Sequence, residues 1–143
     1  MTPLLFLHIV SVSVWLGCIL VEAVYEHSID ASPAMRRFVS GLHWTTDKWI
    51  EIPAFTGVLV TGGLMVAHVP VTPLLAVKIG FGLLAIAANA VCVGLVLRRL
   101  RHAETGNFTA WEAADHLQHK IGAVVLLALL AALGIGGYLL AAG

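Results

Sequence analysis

Four long runs of apolar residues constrain this chain more than any other feature. They cover about residues 3–25, 48–68, 73–98 and 120–141. Each matches the roughly 17–25 residues with which a helix crosses ~30 Å of hydrocarbon. A backbone in hydrocarbon must pair its own N–H and C=O groups, which leaves helices or a closed barrel, and runs of this length are helical. Composition agrees, with 59% hydrophobic and 11% charged residues, where a soluble domain averages about 45–50% and 25%. The expected fold is all-α, an integral membrane antiparallel four-helix bundle running up-down-up-down, with residues 1–143 forming a single transmembrane domain. The first run lacks a basic start and a cleavage site and is read as a span, not a signal peptide. Cys18 and Cys92 lie inside spans with no C-x-x-C pattern and read as reduced packing residues.

The formal net charge of zero hides an asymmetry. Arg36, Arg37, Lys48, Arg98, Arg99, Arg101 and Lys120 all fall on the side opposite the termini or at span ends leading to it. The positive-inside rule makes that side cytoplasmic. The expected placement is multi-pass in the cell's inner (plasma) membrane, with both termini outside the cytoplasm. Every carboxylate falls on the same cytoplasmic half: Glu22, Glu26, Asp30, Asp47, Glu51, Glu104, Glu112 and Asp115. Acids are not needed for orientation, so their crowding there asks for a second cause.

Helix punctuation is clear. Thr2-Pro3 and Ser32-Pro33 each read as an N-cap followed by proline at the first helical position. The second helix is therefore expected to start well before its apolar run and to reach His68, with a kink near Pro53. The third runs from Pro73 to about His102, with Gly106 as its stop. Thr109-Ala-Trp-Glu112 has the pattern of a capping box and puts the start of the fourth helix near Ala110. The second and fourth helices thus extend beyond the membrane on the cytoplasmic side.

Heptad steps hold one face inward in a left-handed bundle. They align His8, Trp15 and Glu22 on the first helix, with Glu26 one turn further. On the second they align Asp47, Ala54, Thr61 and His68, flanked by His43 and Glu51. The fourth carries His116 and His119, and the third Lys78, Asn89, Cys92 and Arg99. Carboxylates and imidazoles from three helices then share a slab at the membrane boundary. Close acids raise one another's pKa unless a cation binds between them. Four-helix bundles with inward acids and histidines are a known frame for dinuclear metal sites. The expected ligands are Glu22, Asp47, Glu51, His116 and His119, with Glu26 and His43 beside them. Oxygen-rich ligation with some imidazole suits two divalent ions of Fe, Mn or Zn better than copper. The competing expectation is a polar network without metal, in which Asp47 pairs with Arg99 and His119 with Glu22.

A second polar group lies at the other end of the bundle. His8 and His68 stand at comparable depth, and a b-type haem takes two facing axial ligands, so His8 with His68 or Lys78 forms an alternative cofactor site. Small residues such as Gly57, Gly62, Gly80, Gly134 and Gly137 suit close helix approach, within the bundle or in a homodimer. P-loop, dinucleotide-binding, Ser-His-Asp and zinc-finger patterns are absent. The basic residues sit amid equal negative charge, which gives nucleic-acid binding no support.

The stretch Leu7-His8-Ile-Val-Ser-Val-Ser-Val-Trp15-Leu-Gly17, followed by Asp47, Pro53, Thr56-Gly57 and Val77-Lys78-Ile79, resembles a pattern in small bacterial membrane families. These are the membrane-bound protoporphyrinogen oxidases, the copper-resistance D-type proteins and related integral membrane proteins. The protoporphyrinogen oxidase resemblance implies haem b, with His8 and Lys78 at that family's conserved His and Lys. Tyr25-Glu26-His27 and the His116/His119 pair depart from its pattern. The leading expectation is a membrane metalloprotein, a metal-dependent oxidoreductase acting on a small or lipid-soluble substrate. The alternatives are a haem oxidoreductase and a metal-ion transport or resistance protein.

Overall fold

The computed structural model describes residues 1–143, which are helical throughout apart from short connections and contain no strand. Helix α1 spans Pro3–Glu26, α2 Pro33–Val66, α3 Pro73–Glu104 and α4 Phe108–Ala142. All four are long and apolar enough to cross a membrane. Large apolar side chains such as Val21, Val24 and Leu127 point outward, as a bilayer requires and water does not.

One device starts three of the helices. The side-chain oxygens of Thr2, Ser32 and Thr72 accept the N–H of Leu5, Met35 and Leu75, and each cap is followed by proline, whose missing N–H costs nothing there. The start of α4 differs from the capping-box expectation. Asn107 is the cap, accepting the Ala110 N–H at 3.2 Å, so the helix begins before Thr109. Glu112 is then free to pair with Arg36 at 2.8 Å. Gly106, at φ +73°, makes the left-handed turn that ends α3.

The interruption expected in α2 lies just before Pro53, as a π-helical turn over Asp47–Glu51. Ile52 donates its N–H to the Asp47 carbonyl, and Pro53 has no N–H to continue the regular ladder. This turn governs side-chain direction. His43, Asp47 and Glu51 are all buried, although two successive steps of four would carry an ideal α-helical stripe about 80° round its axis. The wider turn takes up part of that drift and keeps the three residues on the inner face.

The helices share one core: Trp15 from α1, Ala54 and Val58 from α2, Ala85 from α3, and Val125, Ala128 and Leu129 from α4. Alanines let the backbones approach around the wholly buried Trp15 ring. Pairing along the helices is consistent from end to end. His8 meets Thr61, Tyr25 meets Thr46, and Arg99 meets Asp115.

Candidate metal centre

Next to this core the packing changes from apolar to ionic. The Trp15 indole donates to Asn89 Oδ1 at 2.9 Å, and the Asn89 amide donates to Glu51 Oε2 at 2.9 Å. Beyond Glu51 stand Asp47, His43, Glu22 and Glu26, then Arg99 and Asp115. Of these, Glu22, Glu26, His43, Asp47, Glu51 and Arg99 are buried. Buried ions are costly unless paired, so the pairing of each one carries the argument.

His43 divides the group. Its Nδ1 forms a short hydrogen bond with Glu26. Its Nε2 points the other way, 3.4 Å from Glu22 Oε2 and 3.6 Å from Asp47 Oδ1. On the Glu26 side charge is balanced internally. Arg99 Nη1 donates to Glu26 Oε2 at 2.9 Å and to Asp115 Oδ1 at 2.5 Å, and Nη2 donates to Glu26 Oε1. The Trp111 ring lies 5.2 Å from the Arg99 guanidinium carbon and sends its own N–H to Ser40 Oγ at 2.9 Å.

The Nε2 side has no such cation. Glu22 Oε1 accepts from Thr46 Oγ1 at 2.8 Å and from the Cys18 thiol at 3.2 Å. The Thr46 hydroxyl also lies 2.9 Å from the His43 carbonyl, and with both acceptors competing for its one proton the Tyr25 hydroxyl, 2.9 Å away, donates to Thr46. Asp47 is wholly buried, and no amide, hydroxyl or guanidinium donates to either of its carboxylate oxygens. His43 Nε2, Glu22 and Asp47 each offer one atom within 4.8 Å of the others. A tetrahedral ion with bonds of about 2.1 Å needs ligand atoms about 3.4 Å apart. The 3.4 and 3.6 Å separations from Nε2 fit that edge. A carboxylate on Nδ1 is also the usual arrangement behind a metal-bound histidine, because it fixes the ring and leaves Nε2 free to ligate. A groove of about 240 Å³ runs between α1 and α2 beside this group, lined by Gly17, Cys18, Val21, Glu22, Thr46 and Ile50.

Other residues singled out in the sequence stand elsewhere. His116 and His119 are exposed. They lie on the outward side of α4, whose inward position is taken by the buried Gln118. His119 Nδ1 contacts the Asp115 carbonyl oxygen at 2.8 Å and Asp115 Oδ1 at 3.5 Å, making a mixed group with Glu26 in which Arg99 already sits. The alternative pairings do not form either: Arg99 takes Glu26 and Asp115 instead of Asp47, and His119 takes Asp115 instead of Glu22.

At the opposite end, His8 Nδ1 is 2.8 Å from Thr61 Oγ1, while His68 is exposed because α2 ends at Val66. The heptad that placed His68 opposite His8 runs two residues past the end of the helix, so His8 and His68 do not face each other across the bundle. Lys78 is half-buried with its arm against Gly136, where an added Cβ would stand 2.8 Å from Lys78 Cε.

Thr46, Tyr25, Gln118 and Asp115 belong to the polar group and were not singled out by the heptad reading. Asp115 had a signal, since it stands four residues from His119 on one helix face. Thr46 stands three residues from His43 in the α-helical part of α2, before the π turn. Away from the group, Asp30 is exposed in the α1–α2 connection. Hydrogen bonding to Ser32, through the hydroxyl and then the backbone N–H, holds its carboxyl below the usual carboxylate range. No protein-family model, curated protein or solved structure matches the chain.

Proposed function

We propose that this chain is an integral membrane metalloprotein that holds one divalent cation between Glu22, His43 Nε2 and Asp47, with Glu51 behind them. The carrying observation is the Asp47 carboxylate, fully buried with both oxygens lacking a donor. A buried carboxylate without hydrogen-bond donors is strongly disfavoured, and a metal ion would satisfy it, with His43 Nε2 already 3.4 and 3.6 Å from the two carboxylates. The expected pair of metals narrows to one, because Arg99 supplies the positive charge between Glu26 and Asp115. His116 and His119 then fall outside the ligand set.

The ligands are two carboxylates and one imidazole, which suits Fe, Mn or Zn. Iron or manganese would add redox chemistry. The buried acids gathered from α1 and α2 also suit a transient cation path, and uptake of the metal into proteoliposomes distinguishes that second reading from a fixed site. In the proposed topology the helices run up-down-up-down and antiparallel, supported by the pairings of His8 with Thr61, Tyr25 with Thr46 and Arg99 with Asp115. The cluster then lies at the cytoplasmic end, with both termini outside. Elemental analysis of protein purified without chelator tests the reading. About one equivalent of a transition metal supports it, and a metal-free, fully folded protein that takes up none on addition overturns it.

A further inference from the structure

Where α3 leaves the membrane beside the start of α4, a cavity of about 540 Å³ opens between the two helices. Arg98, Arg101 and His102 line it from α3, and Leu95, Ala114 and Leu117 form much of its apolar wall. Other arginines on this side of the molecule are engaged inside the protein. Arg36 pairs with Glu112, Arg37 Nε donates to the Ala103 carbonyl, and Arg99 holds Glu26. Arg98 and Arg101 are exposed, and the salt bridges of the chain's arginines involve Arg36 and Arg99 alone. Glu104, three residues after Arg101, forms no bridge with it. Two guanidinium groups and an imidazole thus face one hollow without an acid to neutralise them.

Position decides what would do so. Arg98 is the first charge after the apolar run of α3, which puts the hollow at the boundary between hydrocarbon and headgroups. Guanidinium forks match phosphate oxygens in pairs. The Leu95 and Leu117 walls below the cations offer apolar cover that a free inorganic ion cannot use. Basic pockets between spans at this depth suit acidic headgroups. We infer that this cavity binds an anionic phospholipid, with Arg98 and Arg101 on the phosphate, His102 beside them and the upper acyl chain along Leu95 and Leu117.

Binding of phosphatidylglycerol and phosphatidylcholine to the detergent-solubilised full chain, followed by native mass spectrometry, tests this. Each surface arginine contributes about fivefold to acidic-lipid affinity. R98Q/R101Q should therefore bind phosphatidylglycerol roughly 25-fold more weakly, with phosphatidylcholine binding unchanged. Both residues are exposed, so the variant should melt with the wild type. K48Q removes an exposed cation from elsewhere on the same half and should leave the preference intact. An equal loss in K48Q would reduce the effect to general surface charge and overturn the inference. So would equal binding of the two lipids by wild type, or displacement of phosphatidylglycerol by millimolar inorganic phosphate.

Discussion

Arg99 holds the Glu26 carboxylate with both terminal nitrogens, Nη1 at 2.9 Å from Oε2 and Nη2 on Oε1, and its side chain is wholly buried. Glu26 in turn bonds His43 Nδ1, so a chain of charge-assisted bonds from Asp115 through Arg99 and Glu26 sets the direction of the imidazole. The metal proposal depends on that direction, because it turns Nε2 toward Glu22 and Asp47.

Removing Arg99 leaves Glu26 and part of Asp115 buried without a cation. Arg99→Gln is expected to destabilise the protein by about 3–5 kcal/mol, as for other broken buried pairs. Arg99→Met combined with Glu26→Leu should recover much of this loss, since an apolar pair carries no desolvation cost. Thermal unfolding in detergent compares the variants, and a double variant no better than Arg99→Gln would contradict the assignment.

Trp15 combines a packing role with a polar one. Trp15→Phe keeps an aromatic ring in the core and removes the N–H that reaches Asn89. It is expected to cost about 1 kcal/mol, the scale of an interhelical hydrogen bond in a membrane protein. Trp15→Ala should cost about 3–5 kcal/mol through the cavity it leaves. Equal losses in the two variants would show that packing alone matters at this position.

The α1–α2 approach is closest at Gly57, where an added Cβ would lie 2.7 Å from Ser11 Oγ and 3.3 Å from Ser11 Cβ. Gly63, on the same helix, has no atom within 4 Å of that position. Gly57→Ala should therefore lower stability by about 1–3 kcal/mol through overpacking. Gly63→Ala should be neutral or stabilising by up to about 1 kcal/mol. Melting temperatures read both, and Ser11→Ala should relieve part of the Gly57→Ala loss.

Helix number and the starts of α1, α2 and α3 were legible in the chain because hydrophobic length and residues before proline are local signals, whereas the Asn107 cap of α4 was not. Glu22, Asp47 and Glu51 were legible as members of a buried polar cluster because acids inside apolar runs are expensive and stand out. Their partners were harder to read. Thr46 meets Glu22, and His43 stands between Glu26 on one side and Glu22 with Asp47 on the other, which makes it the middle of the cluster instead of an outlying residue. Heptad counting also could not reveal that Arg99 would prefer Glu26 and Asp115 to Asp47, because rotations of α3 and α4 decide that choice. His68 lies past the end of α2, which stops at Val66 before the turn leading to Pro70, so the heptad stripe through Thr61 does not extend to it.

The site adds one prediction about its supporting shell. Glu26→Gln keeps shape but weakens the charge-assisted bond to His43 Nδ1. Metal affinity should fall about 10–100-fold, as for other carboxylates behind ligating histidines, while the number of metal-binding sites stays the same. Competition against a chromophoric chelator measures this, and unchanged affinity would remove Glu26 from the proposed centre.

The most direct measurement is a calorimetric titration of Zn²⁺ into chelator-treated wild type and Asp47→Asn, with the melting temperature of each metal-free protein. A metal-binding Asp47 burdens the metal-free fold with a buried carboxylate that lacks hydrogen-bond donors, and an amide in its place can donate to neighbouring carboxylates. One site in the wild type, lost in Asp47→Asn together with a higher metal-free melting temperature, is the predicted result. Unchanged zinc stoichiometry in Asp47→Asn, or no binding by folded wild type, would contradict the account.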